Sequence, residues 1–435
     1  TYCITEQKPI LVECMTFRMR GHEEASGVKY VPKELFEIWG AKDPLLNYEN
    51  YLKEIKVITD SAIEQIRKDF KEYIDHSVEN GFNAPNVVPD TALELADIYA
   101  PLTDSLVAVP TENIATEMKF INAISEGMKE AMNHFPNLVL MGQDIAEYGG
   151  AFKVTEGFVE KFGKERVRNT PLCESAIVGA ALGLSIKGYK TMMEMQFADF
   201  ATVGFNQIIN NLAKIHYRWG QNADVVIRMP TGGGVGAGPF HSQSNEAWFT
   251  HTPGLKVVYP STPEDAKGLL IASFADPNPV LFFEHKALYR SISGMVPGGY
   301  YSIEIGKAKK VLHGTDISII TYGSGVHWAI EYATAHPEIS IDLLDLRTLL
   351  PLDYEAISAS VKQTGKVLLL HEDVLIGGLG GEIAAWIGEH CFSDLDGPVM
   401  RCASLDTPVP FDIELEKNFM AKSRLHAVVQ KLLQY

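Results

Sequence analysis

An acidic residue stands at the entrance to the most apolar helix that the sequence predicts. Glu174 follows Pro171, Leu172 and Cys173 and opens a run of small apolar residues that ends at Ile186. A helix that is apolar on every side is expected to be buried. A carboxylate beside it is costly unless it has a partner, and a ligand nitrogen is one such partner. The plainer interpretation is that a first-turn glutamate balances the helix dipole.

Two histidines in polar loops are further candidates for chemistry. His241 follows the glycine-rich segment 232–238, and His22 follows a short segment that contains Arg18 and Arg20. Glycines let the backbone approach another group closely, and histidine exchanges protons near neutral pH. The two arginines could neutralise a phosphate or a carboxylate. In both cases the alternative is a surface histidine without a role.

A glycine turn after a predicted strand is half of a dinucleotide fingerprint. Gly323 and Gly325 follow the strand, and Asp345 lies 20 residues beyond Gly325, near the distance at which an acidic residue binds a ribose. Trp328 occupies the place of the third glycine. Tight turns between a strand and a helix also need glycine, so a turn without a cofactor is the alternative.

Length and composition limit the class of protein. The 435 residues predict two or three domains, and the 46% hydrophobic and 21% charged residues are typical of globular proteins. The formal charge of −17 disfavours nucleic acid and membrane surfaces as partners and favours basic protein modules. The longest apolar stretch, residues 176–186, is shorter than the roughly 20 residues of a transmembrane helix. Five cysteines without a CxxC pair indicate a reducing compartment, so a cytoplasmic location is expected.

The first hundred residues combine one strand-like run with one helical pattern. Residues 9–17 (PILVECMTF) read as a buried strand. A helix that packs on a neighbour is predicted after a capping box of Ser61 and Glu64, from apolar residues at Ile63, Ile66, Phe70 and Ile74. Four prolines between residues 82 and 116 indicate an extended connector.

From Met118 onward the pattern is a regular alternation of strands and helices, which is typical of an α/β fold with parallel sheets. A stretch around residues 297–306 divides this part into a larger and a smaller α/β unit. The predicted strands are Leu138–Met141, Val225–Arg228, Val257–Tyr259, Val280–Phe283, Ile317–Thr321, Ile341–Leu344 and Val367–Leu370. Thr262 and Pro263 form an N-cap and first-turn pair for a helix.

Residues 118–435 resemble the β subunit of thiamine-diphosphate-dependent 2-oxoacid dehydrogenases, the E1 component of the branched-chain and pyruvate dehydrogenase complexes. The segments that carry this resemblance are MGQDIAEYGGAFKVTEGF, RVRNTPLCE, MEMQFADF, FHSQSNEAWFTHTPGLKVVYPSTPEDAKGLL, DPNPVLFFEHKALYR and DLRTLLPLD. Residues 1–105 resemble the C-terminal part of the partner α subunit through ECMTFRMRGH.

The resemblance implies a fused α–β chain that lacks most of the α half. Its domains are then a mainly helical α-subunit remnant at 1–105, a linker at 106–117, a pyrimidine-binding domain at 118–305 and a transketolase C-terminal-like domain at 306–435. The two latter domains are expected to be three-layer units around parallel sheets.

The resemblance also implies roles for four β-side residues. Glu174 is the carboxylate that hydrogen-bonds the aminopyrimidine ring of thiamine diphosphate, a contact that makes a proton transfer at the ring easier. Leu172, Gln196 and Phe200 match positions that line the aminopyrimidine pocket. Gln143 stands where relatives often carry glutamate.

Four other residues match family positions with roles in catalysis or in binding a cation. His241 and His22 match the histidines that face the reacting carbon from the β and α sides. They are expected to orient the substrate carboxylate and to give a proton to the lipoyl sulfur. Asp276 and Asn278 match a loop that holds a structural monovalent cation in relatives, and K⁺ is the cation expected here.

The implied cofactors and partners follow from the same resemblance. Thiamine diphosphate is expected with Mg²⁺, whose Gly-Asp-Gly motif belongs to the α region and does not occur here, so the chain alone is expected to be inactive. The expected partners are a lipoyl-bearing E2 acyltransferase, the missing α half and a second copy of the chain. NTPLCE and FHSQS favour a branched-chain substrate. A non-catalytic assembly fragment and an NAD-dependent dehydrogenase are the alternatives.

Overall fold

The structure is a computed structural model that forms two compact units, residues 1–89 and residues 90–435. It describes the whole chain apart from residues 1, 9, 24, 103–107 and 111–113.

Helices are the only regular secondary structure among the described residues of the first unit. Its longest helix begins after Thr59, whose hydroxyl oxygen accepts a hydrogen bond from the Ala62 amide at 3.3 Å. The predicted cap at Ser61 is therefore two residues late. The helices of this unit are α1 (Tyr2–Glu6), α2 (Lys33–Gly40), α3 (Pro44–Glu54) and α4 (Asp60–Asn83).

Two expectations for the first unit are wrong. Residues 10–17 form no strand, and Leu11 is 97% exposed, because a strand needs a paired neighbour and the described part of this unit contains none. On α4 only Ile63 is buried, whereas Ile66, Phe70 and Ile74 are exposed. The helix is amphipathic as predicted, but its apolar stripe has little cover within the unit.

The second unit begins with a short helix and then alternates strands and helices as predicted. The predicted strand at residues 138–141 and the predicted helix at 174–186 are confirmed. Its first elements are α5 (Thr91–Ala96), β1 (Ala115–Lys119), α6 (Phe120–His134), β2 (Leu138–Gly142), α7 (Phe158–Phe162), β3 (Val167–Asn169), α8 (Glu174–Ile186), β4 (Lys190–Glu194), α9 (Ala201–Asn206), α10 (Ile215–Trp219) and β5 (Val225–Thr231). A π-helical turn, Gln207–Leu212, separates α9 from α10.

The following elements confirm the predicted pair at Thr262 and Pro263. The Thr262 hydroxyl oxygen accepts from the Asp265 amide at 3.2 Å, and Pro263 is the first residue of its helix. These elements are α11 (Ala247–Thr250), β6 (Lys256–Val258), α12 (Pro263–Ala275), β7 (Val280–His285), α13 (Leu288–Ser291) and β8 (Ser293–Pro297).

The last part of the chain forms the smaller α/β domain, with strands at three predicted places. Its elements are β9 (Lys309–Leu312), β10 (Ile317–Thr321), α14 (Ser324–Ala335), β11 (Ile341–Asp345), β12 (Thr348–Leu350), α15 (Tyr354–Thr364), β13 (Val367–Val374), α16 (Leu379–His390), β14 (Met400–Ser404), α17 (Ile413–Phe419) and α18 (Leu425–Leu432).

Two mainly parallel sheets carry this second unit. The larger has the order β12-β6-β7-β5-β4-β2-β3, with only β12 antiparallel to its neighbour. The smaller has the order β14-β13-β10-β11-β9, with β9 antiparallel. Strand β12 comes from the smaller domain yet completes the larger sheet, and one hydrophobic core extends from one sheet to the other. The two domains therefore pack as one unit.

The apolar helix α8 differs from its prediction in burial. Ile177, Val178 and Ala181 are buried, but Ala176, Ala180 and Gly183 are exposed. Because those three small residues recur at helical spacing, they form one open face, which the prediction of complete burial missed.

All five cysteines are free thiols. No helix in the described ranges is long and apolar enough to cross a membrane.

Candidate functional site

The candidate site lies where four neighbouring parallel strands end. Gln143 follows β2, Gln196 follows β4, the loop with His241 follows β5, and Glu174 begins the helix after β3. The order β5-β4-β2-β3 places these carboxyl ends along one edge of the sheet. Ligands of open α/β sheets bind at this edge.

Glu174 is buried and is held by an amide side chain. It is 5% exposed, and its Oε1 accepts a hydrogen bond from Gln143 Nε2 at 3.0 Å. No lysine, arginine or histidine in the described part of the chain forms an ion pair with it. A carboxylate at position 143 would face Glu174 with like charge, whereas the amide donates to it. The contact leaves Glu174 Oε2 available for another donor.

Two predicted pocket residues, Gln196 and Leu172, differ in their surroundings. Gln196 Nε2 donates to Asp144 Oδ2 at 3.4 Å, which links the ends of β4 and β2. Leu172 is 80% exposed. Its apolar side chain is therefore open to contact with a ligand or another chain.

An aromatic cluster surrounds His241. The His241 ring packs edge-on against Phe197 with centroids 4.7 Å apart and against Phe200 at 5.6 Å. Both phenylalanines lie in the turn after β4. The structure thus brings two sequence-predicted residues, Phe200 and His241, into direct contact.

Two charged residues near this cluster were not predicted. Burial raises the pKa of Asp199, whose Oδ1 accepts from the Gln243 amide at 3.3 Å. Burial lowers the pKa of Lys286 to about 8, and its Nζ donates to the Gly232 carbonyl at 2.7 Å. Lys286 comes directly after β7. A charged residue directly after a buried strand is the sequence feature by which it could have been found.

Three buried polar atoms beside the candidate residues have no hydrogen-bond partner among the described residues. They are Thr170 Oγ1, four residues before Glu174, Asp199 Oδ2 and Ser242 Oγ, next to His241. Buried polar groups in proteins are nearly always paired, so unpaired ones at the edge of a sheet indicate a ligand or ordered water. The residues present therefore fit a polar ligand.

A buried ion cluster supports the strands beneath the site, and sequence reasoning missed it. Arg228 on β5 donates from Nε and Nη2 to the two carboxylate oxygens of Glu284, each at 2.6 Å, and from Nη1 to Glu194 on β4. The side chains of Arg228 and Glu284 are fully buried. This cluster connects β4, β5 and β7. Its member on β4, Glu194, lies two residues before Gln196.

His22 lies in the first unit, is exposed and follows the buried Gly21. Its role in catalysis stays a prediction.

The predicted cation loop satisfies its polar groups from within the chain. Asp276 Oδ1 accepts from the Asn278 amide at 2.9 Å and from Asn278 Nδ2 at 2.8 Å, and Asp276 Oδ2 pairs with Lys256. Asn278 also bonds the backbone of Ala100 through both of its side-chain polar atoms. The structure therefore shows an amide and an ammonium on this carboxylate, and a monovalent cation there stays a prediction.

The glycine turn at Gly323 and Gly325 does not present a ribose-binding carboxylate. Asp345 is completely buried, accepts hydrogen bonds from Ser261 Oγ and the Arg347 amide, and has its pKa raised by burial to about 7. A Cβ on Gly325 would lie 2.0 Å from the Thr321 hydroxyl oxygen. Close packing therefore explains this glycine without a dinucleotide.

The fold and the site together define a transketolase-like pair of α/β domains. Three family models match consecutive parts of the chain. Residues 1–89 match "Dehydrogenase E1 component", residues 116–291 match "Transketolase, pyrimidine binding domain" and residues 306–424 match "Transketolase, C-terminal domain". A solved structure titled "Split gene transketolase, inactive beta4 tetramer" has the same fold, with a TM-score of 0.57 and 23% identity over 74% of this chain and 99% of that one.

Curated relatives identify the family. The chain is 47% identical over 324 residues to the 2-oxoisovalerate dehydrogenase subunit beta of Bacillus subtilis (strain 168), covering 73% of this chain and 99% of that protein. The mitochondrial counterpart from Dictyostelium discoideum is 45% identical, over 68% and 82% of the two chains. The pyruvate dehydrogenase E1 component subunit beta of Bacillus subtilis is 41% identical, over 68% and 92%. The chain belongs to the E1 β-subunit family of the thiamine-diphosphate-dependent 2-oxoacid dehydrogenases.

Proposed function

We propose that this chain supplies the β-side catalytic residues of an E1 enzyme that decarboxylates a branched-chain 2-oxo acid and transfers the acyl group to a lipoyl-bearing E2. The observation that carries this proposal is the buried Glu174 carboxylate, bonded to Gln143 on one oxygen and open on the other.

Each site residue has a task in this reaction. Thiamine diphosphate, when bound, supplies a nucleophilic carbon and an electron sink for the decarboxylation. Glu174 would bind this cofactor by sharing a proton with a ring nitrogen, and Phe200 would supply an aromatic wall of the pocket. Gln196, through its hydrogen bond to Asp144, keeps the ends of β4 and β2 together beside the pocket. His241, held against Phe197 and Phe200, orients the substrate carboxylate and donates a proton to the lipoyl sulfur.

The branched-chain preference rests on two supports. The segment NTPLCE ends at Glu174, and the segment FHSQS contains His241. The identity to the 2-oxoisovalerate dehydrogenase β subunit is 47%, compared with 41% to the pyruvate dehydrogenase one from the same organism.

The assembled E1, with an α-type partner that supplies a Gly-Asp-Gly motif, tests the proposal. We expect it to release CO₂ faster from 3-methyl-2-oxobutanoate than from pyruvate. Glu174→Gln is expected to lower kcat by at least about 100-fold, because the variant cannot share that proton. Glu165→Gln, which changes an exposed carboxylate, is the matched control. Wild-type turnover by Glu174→Gln would refute the role of Glu174.

Self-association also belongs to this function. The open face of α8 (Ala176, Ala180 and Gly183) would let the backbone of a second helix approach closely. Trp248 and Phe205, 47% and 38% exposed, line an open groove of about 1170 Å³. The solved relative is described as a β4 tetramer. These surfaces support a homodimer of the chain.

A further inference from the structure

The loop that carries His241 is closed at its base and glycine-rich in one arm. Thr231 Oγ1 donates to the Gln243 carbonyl at 2.8 Å, which joins the two ends of the loop. The arm that leaves β5, residues 232–238, is called the glycine arm here. It contains five glycines, and His241 follows it by three residues. The position of His241 therefore depends on what holds this arm.

Glu416 of the C-terminal domain holds the middle of the glycine arm. Its Oε1 accepts from the Gly234 amide at 2.9 Å, and its Oε2 accepts from the Gly236 amide at 3.1 Å. Glu416 lies on α17 and is 2% exposed. Hydrogen bonds from a backbone N–H to a buried carboxylate are stronger than neutral ones.

Glu372, at the end of β13, holds the start of the same arm. Its Oε1 accepts from the Gly233 amide at 2.7 Å, and its Oε2 bonds His285 Nε2 at 2.6 Å. His285 Nδ1 accepts from the Ala287 amide at 3.2 Å, so Nε2 carries the proton that it donates to Glu372. This orientation of His285 fixes the carboxylate beneath the arm.

The two ends of the first peptide unit are held by opposite charges. Lys286 Nζ donates to the Gly232 carbonyl, while Glu372 accepts from the Gly233 amide. The amides of Gly233, Gly234 and Gly236 are thus all bonded to carboxylates of the C-terminal domain. The arm is a structural tether between the two domains, with side-chain ligands of its own chain.

We propose that Glu416 and Glu372 are positioning residues for His241, so that the C-terminal domain sets the geometry of the catalytic loop. This inference rests on the role of His241 in the proposed function. The clamp itself, formed by the two carboxylates and the glycine arm, exists independently of that role and is tested separately.

Hydrogen exchange of the backbone amides tests the clamp in this chain alone, without an α-type partner. We expect Glu416→Gln to speed exchange of peptides from residues 232–241 by about 10-fold or more, because the amide cannot accept both hydrogen bonds. Glu372→Gln is a second variant for the same peptides. Glu414→Gln on the same helix changes an exposed residue paired with Lys417 and is the control. Unchanged exchange in both clamp variants would overturn the proposal.

A double-mutant cycle in the assembled E1 tests the link to His241. Glu416→Gln is expected to lower kcat by about 10- to 100-fold with little change in KM, as misplacement of a catalytic group does. In a His241→Ala background the same change should cost little more, since the group that it positions is gone. Equal losses in both backgrounds would show that Glu416 acts without His241 and would overturn the inference. Full turnover by His241→Ala alone would instead refute the role of His241 in the proposed function, and the exchange result would still report on the clamp.

Discussion

Glu246 is a buried carboxyl group with only one partnered oxygen among the described residues. Its Oε1 accepts from the Tyr322 hydroxyl at 2.7 Å, and its Oε2 has no partner. Burial, and next the neighbouring Asp373 carboxyl, raise the pKa of Glu246 to about 8. At neutral pH the folded protein therefore keeps a proton on this residue.

That proton predicts a loss of stability as the pH rises. Between the ordinary value of 4.5 and about 8, the folded state binds a proton that the unfolded state has released. The free energy of unfolding therefore falls with rising pH, by up to about 1.4 kcal/mol per pH unit for this group. The Glu246→Gln variant has no titratable group at this position. The free energy of unfolding of the wild type should therefore fall by about 2 kcal/mol relative to that of the variant from roughly pH 6 to 8.

Urea unfolding across this pH range measures the effect, with the exposed Glu389→Gln as control. Burial also raises the pKa values of Asp345 and Asp373 to about 7. These two groups therefore also make the free energy of unfolding fall with rising pH, in the wild type and in the variant. The difference between wild type and variant therefore reports the titration of Glu246 together with its electrostatic coupling to Asp373. Parallel curves for the two proteins would contradict the assignment.

The glycine arm shows how an element can require glycine for two different reasons. Gly232 and Gly236 have φ values of +88° and +68°, which strain any other residue. A Cβ on Gly232 would also lie 2.2 Å from His285 Nε2, whereas a Cβ on Gly236 meets nothing within 4 Å. The two positions share a positive φ and differ in the space around them.

Alanine at each position separates these causes. Gly236→Ala is expected to lower the free energy of unfolding by about 1 kcal/mol, from backbone strain alone. Gly232→Ala should lower it by at least about 3 kcal/mol, because the His285 ring must also move. Denaturant unfolding compares the two variants. Equal losses would mean that His285 yields freely and does not fix the arm.

Elements were predicted well wherever their own residues dictate them. The strand Ile317–Thr321 and the helix Glu174–Ile186 have the predicted bounds, because an apolar run between turn residues specifies a buried element. Residues 10–17 have the same local pattern, but the described residues of their unit contain no strand to pair with. Sheet pairing is a tertiary property, so that run could not be distinguished by its composition.

On the scale of the whole molecule, the chain leaves apolar surface open for a partner. If the open face of α8 meets a second copy, analytical ultracentrifugation should find the mass of at least two chains. Ala180→Trp would place a large side chain on that face and shift the protein towards a single chain. Ala335→Trp, exposed at the end of α14, is the control. A wild-type protein that sediments as one chain at micromolar concentration would contradict self-association.

The residues themselves specified the α/β class, most strand positions, the acidic entrance of α8 and the candidates Glu174 and His241, and the resemblance to the E1 β subunits added Gln196 and Phe200 as expectations. Local periodicity and motif identity carry that information, since each depends on neighbours along the chain. The pairing of Glu174 with Gln143 needed only the order of the parallel strands in addition.

Only the tertiary structure revealed the groups that hold the site in place. Arg228 meets Glu284 across 56 residues, and Gly234 meets Glu416 across 182. No local pattern encodes contacts at such separations, because any buried charge needs a partner but the sequence does not say which one. Packing also decided that one face of α8 stays open, since burial of a uniformly apolar helix depends on where its neighbours lie.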